Sequence, residues 1–172
     1  MITGGSGFIG SHICRSLKNK ETTIINLSRK KGIDITKESL LGLEKVDKVL
    51  HLASNSFIPD SFKNPSKVYL ENYLAMINVL EYCREKSVNQ LIFFSSYVYG
   101  KPEYLPIDEN HTTLTNNPYG RSKLHCESLC HAFSEDYGIN TVVIRPFNIY
   151  GYGQNEKFLI PTIIKQINNK ST

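Results

Sequence analysis

The chain begins MITGGSGFIGSH, with four glycines between positions 4 and 10. No other stretch restricts the fold as strongly. Gly5-Ser6-Gly7-Phe8-Ile9-Gly10 fits the spacing G-x-G-x-x-G, and Thr3-Gly4 with Gly7 and Gly10 fits T-G-x-x-G-x-x-G. Glycines so placed allow a tight turn and a close backbone approach to a pyrophosphate, whose charge then meets a helix N-terminus. Phe8, Ile9 and Ile13 give the following segment an apolar side. Taken alone, the pattern fits a bare turn equally well. A phosphate-binding loop follows a buried strand, and only Met1, Ile2 and Thr3 precede it here. A strand usually has about five residues. The middle of the sheet is therefore expected to be clipped, with reduced stability or pairing from a neighbouring molecule.

The rest of the chain alternates between two periods. TTIINL (22–27), KVLHLA (48–53), QLIFFSS (90–96) and TVVIR (141–145) are apolar at nearly every position and read as strands buried on both faces. Helical spacing runs over 8–17, 37–43, 65–86 and 118–137. The last of these starts well, with Asn117 as N-cap and Pro118 at the first helical position. Strand–helix alternation predicts an α/β fold, a doubly wound parallel sheet with helices on both faces. Its ligand crevice should lie at the carboxyl ends of the strands.

Bulk properties narrow the class. With 172 residues and 40% apolar content, one ordinary core and one domain are expected. No apolar run approaches a membrane span, and the start lacks the layout of a secretory leader. Cys14, Cys83, Cys126 and Cys130 are then expected to be reduced thiols in a cytoplasmic protein. The net charge of +4 is mild and scattered, compatible with an anionic ligand but saying little alone, and neither nucleic acid nor membrane is expected as a partner.

Three places carry chemistry. The first is the end of the second expected strand, where a dinucleotide site uses a carboxylate to hold the ribose 2′-OH of NAD. The sequence there reads Ser28-Arg29-Lys30-Lys31. A hydroxyl with basic groups suits a 2′-phosphate and favours NADP over NAD, although the same residues suit a solvated turn. Second, Tyr119-Gly120-Arg121-Ser122-Lys123 puts a phenol and an ammonium four residues apart on one helix face. A tyrosine near its ordinary pKa of ~10 is a poor base at neutral pH, and reaching 7 takes about 4 kcal/mol at ~1.36 kcal/mol per unit. A nearby lysine cation supplies the right sign. Third, Ser95 and Ser96 end the strand QLIFF, where a hydroxyl reaches the crevice or simply caps a turn.

In order along the chain, TGGSGFIGSH, DIT (34–36), HLAS (51–54), ENYLAMINVLE (71–81), FFSSYVYG (93–100), YGRSK (119–123) and RPFNIYGYGQ (145–154) resemble the extended short-chain dehydrogenase/reductase family, in its NAD-dependent epimerase/dehydratase group. The resemblance covers essentially the whole chain. It implies a Rossmann-like fold, with Gly4, Gly7 and Gly10 as cofactor glycines and Phe8 and Ile9 donating backbone N–H groups to the pyrophosphate. Ser28 and Arg29 fall at the adenosine ribose, Asp34 and Ile35 flank the adenine, and Leu52, Ala53 and Ser54 line the cofactor. Tyr119 matches the catalytic base, and Lys123 the lysine that binds the nicotinamide ribose and lowers the tyrosine pKa. The catalytic hydroxyl lies three residues before the valine of V-Y-G, which selects Ser95 and leaves Ser96 toward the substrate. Asn148 matches a substrate contact, and Pro146 marks the strand at the nicotinamide end.

The reaction implied is transient oxidation of a sugar hydroxyl, as in a nucleotide-sugar epimerase such as a UDP-sugar 4-epimerase. The alternatives are an NADPH-dependent keto-sugar reductase and a cofactor-binding module without catalysis. The Asp-Glu pair that dehydratases of the family carry after the catalytic hydroxyl is Ser96-Tyr97 here, which argues against a 4,6-dehydratase. A nucleoside-diphosphate sugar is the implied substrate. The small lobe that grips it would begin around 146–172, so most of that lobe is expected to be absent. The helices at 65–86 and 118–137 form a dimer bundle in the family, and their apolar residues permit a homodimer here. His125-Cys126 and Cys130-His131 superficially suggest zinc, but ligands on one helix rarely complete a tetrahedron, and no metal is expected. His51 is expected to end a buried strand rather than act as a base.

Overall fold

In the computed structural model, which describes residues 1–18 and 21–169, the glycine loop follows a strand of only two residues, β1 (Ile2–Thr3). The other strands are β2 (Asn26–Leu27), β3 (Lys48–His51), β4 (Gln90–Phe94) and β5 (Thr141–Ile144). All pair in parallel in the order β2-β1-β3-β4-β5. The short strand is thus interior, with Ile2 opposite Asn26 on one side and Leu50 on the other. Backbone bonds extend beyond its two named residues. Ile2 N donates to Ile25 O (2.8 Å), Gly4 N to Leu27 O (2.8 Å) and Leu50 N to Met1 O (2.9 Å).

The helices are α1 (Phe8–Leu17), α2 (Ile58–Lys63), α3 (Pro65–Glu85), α4 (Pro118–Tyr137) and α5 (Leu159–Asn168). The start of α4 is as the sequence predicts, since Asn117 Oδ1 accepts from Gly120 N at 2.8 Å. Two elements differ from the reading of the periodicity. No helix forms over 37–43. Asp34 Oδ1 instead takes hydrogen bonds from Thr36 N (3.1 Å) and Thr36 Oγ1 (2.7 Å), which turns the chain just before it. Leu40 is buried all the same. Conversely, α2 has six residues, too few to show a helical period.

One core joins the sheet to α3. It is built from Val49, Leu91 and Phe93 of the strands with Met76, Val79 and Leu80 of the helix. The α3–α4 contact is partly polar: Asn72 Nδ2 donates to Ser122 Oγ at 2.8 Å. Cys126 Sγ reaches Asn72 O (3.6 Å) and Cys130 Sγ reaches Met76 Sδ (3.8 Å), and all four cysteines are thiols. Beyond β4 the burial falls away. Val142, Val143 and Ile144 are each more than a third exposed, and α5 has no buried residue. Residues 170–172, the end of the expected start of the substrate lobe, lie outside the described residues. Among the described residues, no helix is long and apolar enough to cross a membrane.

The chain runs from β1 outward to β2, then returns across β1 to β3. That reversal makes the fold a Rossmann-like doubly wound sheet and opens a crevice between the carboxyl ends of β1 and β3.

Candidate functional site

The glycine loop leaves β1 at this crevice, and its shape is set by what it excludes. Gly4 has φ +71°, and a Cβ there would lie 2.7 Å from Ala53 N. A Cβ on Gly10 would lie 2.4 Å from Gly4 O and 2.6 Å from Gly5 Cα. Loop and helix can therefore close on each other only with glycine at both positions. The result is a cavity of about 650 Å³ lined by Gly4, Gly7 and Phe8 from the loop and Ser28 to Lys30 from the end of β2. Asp34, Ile35, Ala53 and Ser54 complete the wall among the expected residues. Gly10 supports this wall from behind. Ile9, Leu52, Pro146 and Asn148 are not part of it, and Gly153 and Asn155, from the loop after β5, are. His12 Nε2 and Tyr152 O, 2.8 Å apart, tie that loop to α1.

The basic stretch after β2 is less free than its sequence suggests. Arg29 bonds Asp34 (3.2 Å) and lies 3.5 Å from Glu71 of α3, so two carboxylates answer it at the cavity wall. Its hydrogen bond with Asp34 and the neighbouring charges hold its pKa above the ordinary value against the opposing effect of burial. Ser28 Oγ meets Ser6 Oγ at 2.7 Å. Lys30 also lines the cavity. Glu71 carries no signal in the sequence near Arg29, being 42 residues away, from position 29 to 71.

Ser54 belongs to the cavity wall, and Tyr119 stands beside it. Burial pushes the Tyr119 phenol above its ordinary pKa, while hydrogen bonding from Ser96 and Ser54 pulls it down. The Ser54 contact is incomplete: its Oγ is buried with no partner at ordinary hydrogen-bond geometry among the described residues. Lys123, one turn along α4, is 3% exposed and sits over the Phe93 ring, 4.3 Å from its centroid. Burial lowers its pKa to about 8. The expected depression of the tyrosine by the lysine is not seen in the free chain, because the cost of burying a phenolate outweighs the hydroxyl contacts.

Ser95 departs from the expectation. Its hydroxyl donates to Glu127 of α4, away from Tyr119, and it is Ser96 that faces the phenol. The serine beside the phenol is thus the one two residues before Val98, the second after β4 ends at Phe94, and not the one three residues before it. Glu127 also receives Arg145, through Nε (3.1 Å) and Nη2 (2.7 Å), and Arg145 Nη1 donates to Tyr99 at 3.2 Å. The sequence reading missed Glu127 and Arg145. Glu127 is four residues beyond Lys123, so extending the Tyr119–Lys123 face by one turn would have found it.

His51 is buried, stacks on Phe93 with ring centroids 5.7 Å apart, and bonds Thr3 Oγ1 through Nδ1 at 2.7 Å. Burial, with Lys123 adding to it, lowers its pKa to about 3 and keeps it neutral. Among the described residues, no three His, Cys, Asp or Glu side chains are grouped to hold a metal ion.

A dinucleotide fits these residues on two counts. The backbone of Gly4 and Gly7 lines the cavity directly before the N-terminus of α1, and an orphaned buried hydroxyl, Ser54 Oγ, belongs to the same wall. Comparison with known proteins agrees. The model of the NAD dependent epimerase/dehydratase family matches residues 1–172. The UDP-glucose 4-epimerase of Halalkalibacterium halodurans is 32% identical over 96% of this chain and 58% of its own length. Among solved structures, a UDP-N-acetylglucosamine 4-epimerase from Methanobrevibacter ruminantium M1, in complex with UDP-N-acetylmuramic acid, superposes with TM-score 0.91 at 29% identity, over 99% of this chain and 63% of that one. RMD from Pseudomonas aeruginosa, complexed with NADPH, superposes with TM-score 0.86 at 32% identity, over 98% and 61%. The chain spans 58–61% of the length of the first curated relatives it matches.

Proposed function

The chain belongs to the NAD dependent epimerase/dehydratase family, and on that premise we propose that it carries the cofactor half of a nucleotide-sugar epimerase, such as a UDP-sugar 4-epimerase. The observation that carries this reading is the placing of the Tyr119 phenol against Ser96 and against Ser54, which itself lines the glycine-loop cavity, with Lys123 buried one turn further along α4. NADP or NAD would lie along Gly4, Gly7 and Phe8, with its adenosine end toward Ser28, Lys30, Asp34 and Ile35. A nicotinamide bound there supplies a reversible hydride acceptor. Tyr119 takes the proton of the sugar hydroxyl, Ser96 holds that oxygen, and Lys123 stabilises the phenolate that Tyr119 must become.

NADP stays ahead of NAD in this reading because Lys30 and Ser28 stand at the rim, although Arg29 is already paired. The same rim keeps an NADPH-dependent keto-sugar reductase as the second reading. A dehydratase is disfavoured whichever serine is used, since Tyr97 and Val98 follow Ser96 and neither is acidic. The nucleoside-diphosphate sugar would be gripped partly by a lobe that begins around 146–172. A homodimer through α3 and α4 is supported by the outward-facing Leu70 and Leu74, 59% and 44% exposed.

The test is Tyr119→Phe in the epimerase assay with UDP-glucose and UDP-galactose. Turnover is expected to fall by at least ~100-fold, the scale of a lost general base, with NADPH and NADH binding unchanged. Residual turnover near the wild-type rate would refute Tyr119 as the base.

A further inference from the structure

Three residues of α4 lie four apart on one line, and each meets the end of β4. Tyr119 meets Ser96, Lys123 meets Phe93, and Glu127 meets Ser95. The first two contacts belong to the chemistry proposed above. The third does not, yet it is the most heavily bonded. We propose that Glu127 is a positioning residue: by holding the Ser95 hydroxyl and the Arg145 guanidinium together, it fixes the segment after β4 so that Ser96 faces Tyr119. This inference rests on the proposed pairing of Ser96 with Tyr119.

The geometry behind it is specific. Ser95 is 4% exposed and is held twice, by its hydroxyl on Glu127 and by its backbone N–H on Ile144 O at 2.8 Å. With Ser95 held at both points, the direction of the next residue is fixed, and that residue is Ser96. Arg145 follows β5 directly and forks onto the same carboxylate with Nε and Nη2 at 3.1 and 2.7 Å. Its third contact, Nη1 to the Tyr99 hydroxyl at 3.2 Å, reaches the far end of the Ser95–Tyr99 segment. Glu127 thereby clamps the exits of β4 and β5 to the helix that carries Tyr119. A partly buried ion pair of this kind adds little net stability relative to an apolar replacement, and specifying one conformation is a role it can fill.

Ser95→Ala isolates the effect, because it removes the link to β4 and leaves the Glu127–Arg145 pair in place. The readout is the Cζ resonance of Tyr119 at neutral pH in the full chain labelled with ¹³Cζ-tyrosine, assigned by its loss in Tyr119→Phe. That resonance reports the hydrogen bonds on the phenol, which faces Ser54 after β3 and Ser96 after β4. Ser96→Ala is expected to move it. Ser95→Ala is expected to carry it at least half of the way to the Ser96→Ala position, and Ser95→Thr to return it. Glu127→Gln should move it in the same direction. A Tyr119 signal that Ser96→Ala moves and Ser95→Ala leaves at the wild-type position would overturn the positioning role alone. A signal indifferent to Ser96→Ala would overturn the Ser96–Tyr119 pairing, and this inference with it.

Discussion

The glycine cradle and the α4 line are the two halves of the proposed site, made in different ways. The cradle is built from backbone. Its critical distances are those a Cβ would violate, 2.7 Å at Gly4 and 2.4 Å at Gly10, so it is defined by backbone packed too closely to admit a side chain. The α4 line is built from side chains that meet the end of β4, and it is defined by which residue meets which. A backbone device fails when anything is added to it. A register device survives changes of volume and fails when its pairing shifts by one residue, as the choice between Ser95 and Ser96 illustrates.

The largest effect is expected in the cradle. Gly10→Ala forces Gly4 O and Gly5 Cα to move, at a cost of about 1–3 kcal/mol for overpacking, and should weaken NADPH and NADH binding more than tenfold. Denaturant unfolding with a fluorescence titration checks both. Tyr119→Phe, by contrast, should change neither quantity, and a shared loss of cofactor binding would erase the distinction between the two halves.

His51 joins the halves, bonding Thr3 at the foot of the cradle and stacking under the Phe93 ring that carries Lys123. Its folded pKa of about 3 lies below the ordinary 6.5. The unfolded chain therefore binds the extra proton between those values, and stability falls as the pH drops through that window. His51→Gln removes this contribution. Between pH 7 and pH 4, the variant should lose less stability than the wild type by on the order of 3 kcal/mol. Parallel losses in urea unfolding would mean that the imidazole is not held neutral.

The smallest effect is at the rim. Lys30→Glu should shift the NADPH-to-NADH dissociation-constant ratio toward NADH by roughly fivefold, the scale of ~1 kcal/mol for an exposed charge contact. Stability should stay within about 0.5 kcal/mol. An unchanged ratio would remove Lys30 from cofactor discrimination.

What the sequence revealed follows the same division. The cradle is legible because its requirement is local: four glycines at fixed spacing, with the first helix directly after them. The parallel sheet is legible because its strands are apolar at nearly every position, although β5, expected to be buried on both faces, is half-exposed at the edge of the sheet. Tyr119 and Lys123 share a helix face, so their spacing alone brings them together. Less legible was whatever depends on a partner distant in sequence. Glu71 against Arg29, and Glu127 against Ser95 and Arg145, are contacts between separate elements, and no period announces them. The stretch over 37–43 misled because Leu40, Leu41 and Leu43 mimic a helical face, while the turn at Asp34 redirects the chain into turns.

The central claim is that the glycine-loop cavity binds a nicotinamide dinucleotide whose reactive end meets Tyr119. The most direct measurement is a fluorescence titration of the chain with NADPH and NADH, on wild type and Tyr119→Phe side by side. The account predicts saturable binding of at least one cofactor at a single site, with the same dissociation constant in both proteins. Absence of binding by either cofactor to the folded wild-type chain would contradict it.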